Sequence, residues 1–227
     1  MTYNQKRSRC IIFSLLMGLL VLGSYEKLTA RIDSPESLSN YESFGSVMAT
    51  NGSMLAVAMR DEVCIYRYET NGTISLLNRI ENPATSSSNN YFGQSIAFSG
   101  NFLAIGAPGS SSRMGAVYLY KILSDGSSVS LSTLTSPSSQ FDLFGTSVSM
   151  DQGILCIGAP LDDYAPGTTK IDSDAGSAYV YKLDSAGNTY LLGGGMYTDG
   201  QHNYGITTSV VANKIIIASA GQIFLWE

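Results

Sequence analysis

Four stretches of the chain are apolar without alternation: residues 55–58, 103–107, 154–159 and 215–220. A strand with one wet face alternates apolar and polar residues. An unbroken apolar run belongs to a strand covered on both faces. Residues 128–134 instead set Ser128, Ser130 and Ser132 beside Val129 and Leu131, the pattern of a half-exposed outer strand. Hairpin turn signals separate these runs at Asn51-Gly52, Asn71-Gly72, Asp125-Gly126 and Ala186-Gly187. In the best-defined stretch the pattern predicts strands at 93–98, 102–106, 115–122 and 128–134, lettered A to D. Together they form one antiparallel unit.

The unit recurs. Phe92-Gly93 leads to Gly106-Ala107-Pro108 and then to GAVYLY from Gly115. Phe144-Gly145 leads to Gly158-Ala159-Pro160 and to GSAYVY from Gly176. Phe44-Gly45 leads to Ala58 and VCIYRY, and Tyr204-Gly205 to Ala218 and GQIFLW. In every copy the second landmark falls 14 residues after the aromatic, and copies start 48 to 60 residues apart. A period of this length marks a propeller or solenoid. Stacked blades explain why inner strands are apolar on both faces, since each blade is covered by its neighbours.

Phe-Gly, Gly-Ala-Pro and Gly-x-Val-Tyr-x-Tyr together resemble the FG-GAP repeat of integrin α-subunit propellers and of many secreted repeat proteins. The second and third copies carry it in full. The first has Ala58-Met59-Arg60 and the fourth Ala218-Ser219-Ala220 in place of Gly-Ala-Pro. The resemblance implies an all-β fold, a β-propeller of four-stranded antiparallel blades, with repeats starting near 44, 92, 144 and 204. It also implies a partner-binding loop face and a role in adhesion.

The ends of the chain are complementary. Residues 27–32 resemble the last strand of the first repeat, sharing Arg-Ile followed by Asp33 or Glu81. The fourth copy stops at Trp226-Glu227, after its third strand. The expectation is a four-bladed ring in which 27–32 pairs with 222–226 and closes the last blade. A partial propeller is the competing form. In an up-down blade the A–B and C–D turns share one face, and the B–C and D–A loops share the other. The long connections at 82–90, 109–114, 136–141, 161–175 and 193–203 all fall in the second class, so ligands are expected there.

Composition narrows the function. The 227 residues are 44% hydrophobic and 14% charged, suiting one domain with a real core. Lys6, Arg7 and Arg9 precede an apolar run at 10–22, the pattern of a secretory signal peptide. The expected cut follows Gly23, leaving a propeller domain at 24–227. The mature chain is then secreted or extracellular, cell-surface included, and no later segment is expected to span a membrane. Removing three basic residues takes the formal charge from −5 to −8 and leaves no basic patch, so nucleic acid is not an expected partner. Asn51-Gly52-Ser53 and Asn71-Gly72-Thr73 are glycosylation sequons on turns.

Candidate chemistry is sparse. Integrin-type repeats often hold calcium between strands A and B, and calcium needs six to eight oxygens. Here those turns offer Asp151 at most, so no cofactor is expected and the calcium sites do not carry over. Asp162, Asp163, Asp172 and Asp174 cluster in the long loop of the third copy beside Tyr164. Asp172 and Asp174 resemble half of a calcium loop, but a solvated acidic loop accounts for them too. The sole histidine, His202, precedes Tyr204-Gly205 without a recognisable partner. No nucleophile elbow, His/Cys cluster or phosphate loop is present. The expectation is a monomeric, non-enzymatic module binding a protein or glycan through Asp162, Asp163, Tyr164, Asp172, Asp174 and His202. A hydrolase or lyase using loop carboxylates, or a structural piece of a larger surface protein, are the alternatives. Cys64 and Cys156 sit in apolar strands of different copies and are expected as buried free thiols.

Overall fold

The computed structural model describes residues 31–35, 44–59, 61–69, 71–84, 90–137, 141–163, 175–196, 203–212 and 214–226. The elements below belong to one compact unit, Ile32–Glu227. The other unit, Met1–Arg31, is outside the described residues except for Arg31. The expected leader at 1–23 and most of the expected closing strand, 27–30, therefore lie outside them.

Four antiparallel sheets follow one another along the chain. Blade 1 is β1 (Met48–Thr50), β2 (Met54–Met59), β3 (Glu62–Tyr68) and β4 (Ile74–Glu81). Blade 2 is β5 (Ser95–Ser99), β6 (Phe102–Ala107), β7 (Ala116–Ile122) and β8 (Ser128–Thr135). Blade 3 is β9 (Ser147–Asp151), β10 (Ile154–Ala159), β11 (Ser177–Leu183) and β12 (Thr189–Met196). Blade 4 has three strands among the described residues, β13 (Thr207–Val211), β14 (Lys214–Ser219) and β15 (Gln222–Trp226). The sheets are propeller-like blades, as the repeat predicts.

The strands of blade 2 fall within two residues of their predicted bounds. One stretch differs. Residues 193–203 are expected as a long connection, yet Gly193, Gly194 and Gly195 pair with Val180, Tyr179 and Ala178 and carry β12 to Met196. Ladder hydrogen bonds along β11 outweigh glycine's weak strand preference. The C–D pairing also slips once in each of blades 1 to 3, between Ile65 and Tyr66, Leu119 and Tyr120, and Val180 and Tyr181. The extra residue of each bulge is a leucine: Leu77, Leu131 or Leu192.

Each blade has two different faces. The front face carries small or branched side chains and meets the aromatic and aliphatic back face of the next blade. Ala56, Val63 and Ile65 pack on Phe92, Leu103, Ile105 and Tyr120. Ala104, Val117 and Leu119 pack on Phe144, Leu155, Ile157 and Tyr179. Cys156, Ala178 and Val180 pack on Tyr204, Val210 and Ile217. Burying one large apolar side chain is worth about 1.5–3 kcal/mol, so these three seams form the main store of stability. The innermost strands pack in order, β1 on β5, β5 on β9 and β9 on β13, while β13 and β1 make no comparable contact. Ring closure is thus not seen among the described residues, and Ile32 packs on the back face of blade 1, beside Phe44, Leu55, Val57, Cys64 and Tyr66.

Candidate functional site

The loop face is built on the repeated aromatic-glycine pair. Phe92 packs on Tyr118 with ring centroids 5.6 Å apart, Phe144 on Tyr179 at 5.7 Å, and Tyr204 on Phe224 at 5.1 Å. Blade 1 has Cys64 at the strand position of Tyr118, and Phe44 turns to Tyr66 at 6.4 Å. In every blade the glycine N–H then donates to the carbonyl of the second landmark, from Gly45 to Ala58, Gly93 to Gly106, Gly145 to Gly158 and Gly205 to Ala218, at 2.9–3.1 Å. This bond sets the 14-residue spacing, because it joins the two landmarks across the A–B hairpin.

The residue before three of the four aromatics is held left-handed. Tyr91, Leu143 and Asn203 have φ of 57°, 53° and 66°. On the same face Asp61, Ser111, Ser112 and Arg113 also have positive φ, from 48° to 73°. Non-glycine residues avoid this region, and it persists where the surroundings over-determine the backbone. Here Leu143 N–H donates to the Arg113 carbonyl at 3.0 Å, and Phe144 N–H to that of Met114 at 3.1 Å. The B–C loop of blade 2 is so tied to the entry of blade 3. Tyr91 and Phe141 project from these loops 60% and 64% exposed, with Arg113 exposed as well.

Beneath the face lies a buried polar network. Asp142 and Asp162 are fully buried. The Tyr179 hydroxyl donates to Asp162 Oδ2, and the Ser136 hydroxyl donates to Asp142 Oδ2 at 2.5 Å. Burial, and next the Asp162 charge, raises the Tyr179 pKa, so Tyr179 stays a proton donor. Blade 2 has a neutral version. Asn90 stands two residues before Phe92 as Asp142 does before Phe144, is fully buried, and exchanges paired amide hydrogen bonds with Asn82 at 2.8 and 2.9 Å. Both networks fasten the incoming loop to its blade.

The expected site residues are therefore distributed differently from the sequence reading. Asp162 is fully buried rather than exposed on the loop, and it accepts the Tyr179 hydroxyl. Asp163 beside it is half-buried. Tyr164, Asp172, Asp174 and His202 lie outside the described residues. Among the described residues no three His, Cys, Asp or Glu side chains form a metal-holding group. Asp151 accepts the Ala212 N–H at 2.7 Å, linking blade 3 to blade 4. Asn71 is exposed, whereas the Asn51 amide donates to the Gly100 carbonyl of blade 2 at 2.7 Å. Cys64 and Cys156 are buried and free, and burial pushes their thiols up to about 11 and about 12. Reading the sequence missed Ser136, Asp142, Tyr179, Tyr91, Phe141 and Arg113. A signal existed for Asp142, which aligns with Asn90; the others depend on contacts between loops.

Residues 83–120 and 133–181 match the family described as FG-GAP repeat. No curated protein matches the chain. The crystal structure of Kluyvelomyces marxianus Hsv2 is similar, with a TM-score of 0.52 and 11% sequence identity over 88% of this chain and 52% of that one. This chain spans about half the length of that β-propeller, and at such identity the likeness shows the fold alone. Residues 83–181 carry the FG-GAP repeat, and the all-β fold around them is built of propeller blades.

Proposed function

We propose that this chain is an exported, non-enzymatic binding module that holds a protein or glycan on its loop face, in a setting of cell-surface adhesion. One observation carries the reading: exposed Tyr91 and Phe141, with exposed Arg113, stand on loops whose backbone is held left-handed. Aromatic and arginine side chains dominate binding hot spots, and a pre-set backbone lowers the entropy lost on binding. Of the loop carboxylates that a hydrolase would use, Asp162 is fully buried and Asp163 half-buried, which favours the binding reading.

The test is a glycan array and a pull-down with the purified chain, repeated with Tyr91→Ser, Phe141→Ser and Arg113→Ala together. Captured ligand should be lost while the melting temperature stays the same. Undiminished binding by the triple variant would remove the loop face as the site.

A further inference from the structure

We propose that Asn71-Gly72 is a self-modifying site: the backbone nitrogen of Gly72 displaces ammonia from the Asn71 side chain and leaves an isoaspartyl or aspartyl residue in the C–D turn of blade 1. The inference is independent of the loop-face reading.

The chain has two Asn-Gly steps, at 51–52 and 71–72, one in each hairpin turn of blade 1 that joins β1 to β2 and β3 to β4. Glycine carries no side chain to shield its nitrogen, so the preceding amide carbon can approach it closely. By sequence the two steps are alike. The structure sets them apart.

Asn51 is held from several sides. Its Nδ2 donates to the Gly100 carbonyl of blade 2 at 2.7 Å. Its Oδ1 accepts the Ser53 N–H, the Ser53 hydroxyl and the Met54 N–H at 2.8–3.1 Å. Loss of Nδ2 there breaks a bond between two blades. Asn71 is exposed, and among the described residues its Nδ2 has no partner. Its Oδ1 accepts the Thr73 N–H at 2.9 Å and the Thr73 hydroxyl at 2.7 Å. Those two donors draw electrons from the side-chain carbonyl carbon, Cγ, and stand ready for the negative charge that builds on Oδ1 during attack. The Gly72 N–H donates to the Glu69 carbonyl at 2.9 Å, a bond inside the turn. Exposed turns open locally at little cost, so this bond delays attack far less than a tie to a neighbouring blade.

The reaction balances with water alone. The Gly72 nitrogen bonds to Asn71 Cγ and gives up its proton, the Cγ–Nδ2 bond breaks, and Nδ2 leaves as ammonia. Water then opens the succinimide, at the Asn71 main-chain carbonyl carbon to give isoaspartate or at Cγ to give aspartate. Either product places a negative charge where a neutral amide stood and abolishes the Asn71-Gly72-Thr73 sequon. Glycan attachment to Nδ2 and loss of Nδ2 are thus competing fates of one atom.

The full chain, purified from bacteria without glycan, is held at mildly alkaline pH and sampled by peptide mass spectrometry, with a parallel sample in concentrated urea. In the folded chain Asn71 should convert about tenfold faster than Asn51, the difference that one hydrogen bond between blades gives. In urea the two steps should convert at similar rates. Isoaspartate should be among the products, and Asn71→Gln should remove conversion from its peptide. An unchanged Asn71 in the folded chain, equal rates at the two steps there, the same bias in urea, or aspartate without isoaspartate would each overturn the proposal.

Discussion

Gly158 lies against the carbonyl oxygen of Gly205 in the next blade, so closely that a Cβ on Gly158 would come within 1.8 Å of it. The Ser147 hydroxyl donates to that same oxygen at 2.9 Å. Gly106, Ser95 and Gly145 repeat the arrangement one seam earlier, with a hydrogen bond of 2.8 Å. The glycine of Gly-Ala-Pro is thus a contact between blades, which a hydroxyl from strand A completes. Blade 1 has Ala58 and Val47 at these places, and its seam is apolar instead.

Gly158→Ala should therefore push blades 3 and 4 apart. The obstacle is backbone, which cannot rotate away, so the cost should exceed about 3 kcal/mol, beyond ordinary overpacking. Gly193→Ala, with open space around the added methyl, should stay within about 0.5 kcal/mol of wild type. Urea denaturation of both variants checks the contrast.

Tyr179→Phe removes the donor to the buried Asp162 carboxylate. Leaving a buried charged acceptor without this bond should cost about 1–3 kcal/mol. At about 2–4 °C per kcal/mol for a chain of this size, melting should fall by several degrees. Tyr181→Phe is the control, since burial alone displaces the Tyr181 pKa and the change should be small. Equal losses for the two variants would count against the network.

Stability should fall on the alkaline side. Burial raises the folded-state pKa of Cys64 to about 11 and of Cys156 to about 12. It also raises Tyr66, Tyr181 and Tyr204 to about 12 and lifts Tyr179 further. Each group holds its proton more tightly folded than unfolded. Its contribution is complete below the unfolded pKa and is lost as pH rises towards the folded one. With unfolded values near 8.5 for Cys and about 10 for Tyr, the urea midpoint should be flat with respect to these groups up to about pH 8. It should then decline steadily to pH 12.

Expression through a eukaryotic secretory pathway should separate the two sequons. Asn71 is exposed on the C–D turn of blade 1, while the Asn51 amide nitrogen is engaged by Gly100 in blade 2. Peptide mass spectrometry should find glycan on Asn71 and little on Asn51. The opposite occupancy would mean that glycan transfer precedes docking of the two blades.

The four blades were legible along the chain because their signals are local. Unbroken apolar runs, Asn-Gly and Asp-Gly turns and one 14-residue interval recur, and each states a backbone requirement met within a single blade. Those same letters carried no information about what covers each blade. Ile223 and Val63 occupy the same ladder position, and only the packing of blade against blade buries one and leaves the other 77% exposed. Asp162 read as a surface carboxylate because its neighbours in sequence are loop residues, yet it is buried and accepts the hydroxyl of Tyr179, 17 positions away. Burial depends on partners distant along the chain, so strand order and spacing followed from the sequence, whereas the open seam of blade 4 and the covered acids of the loop face followed from three-dimensional packing.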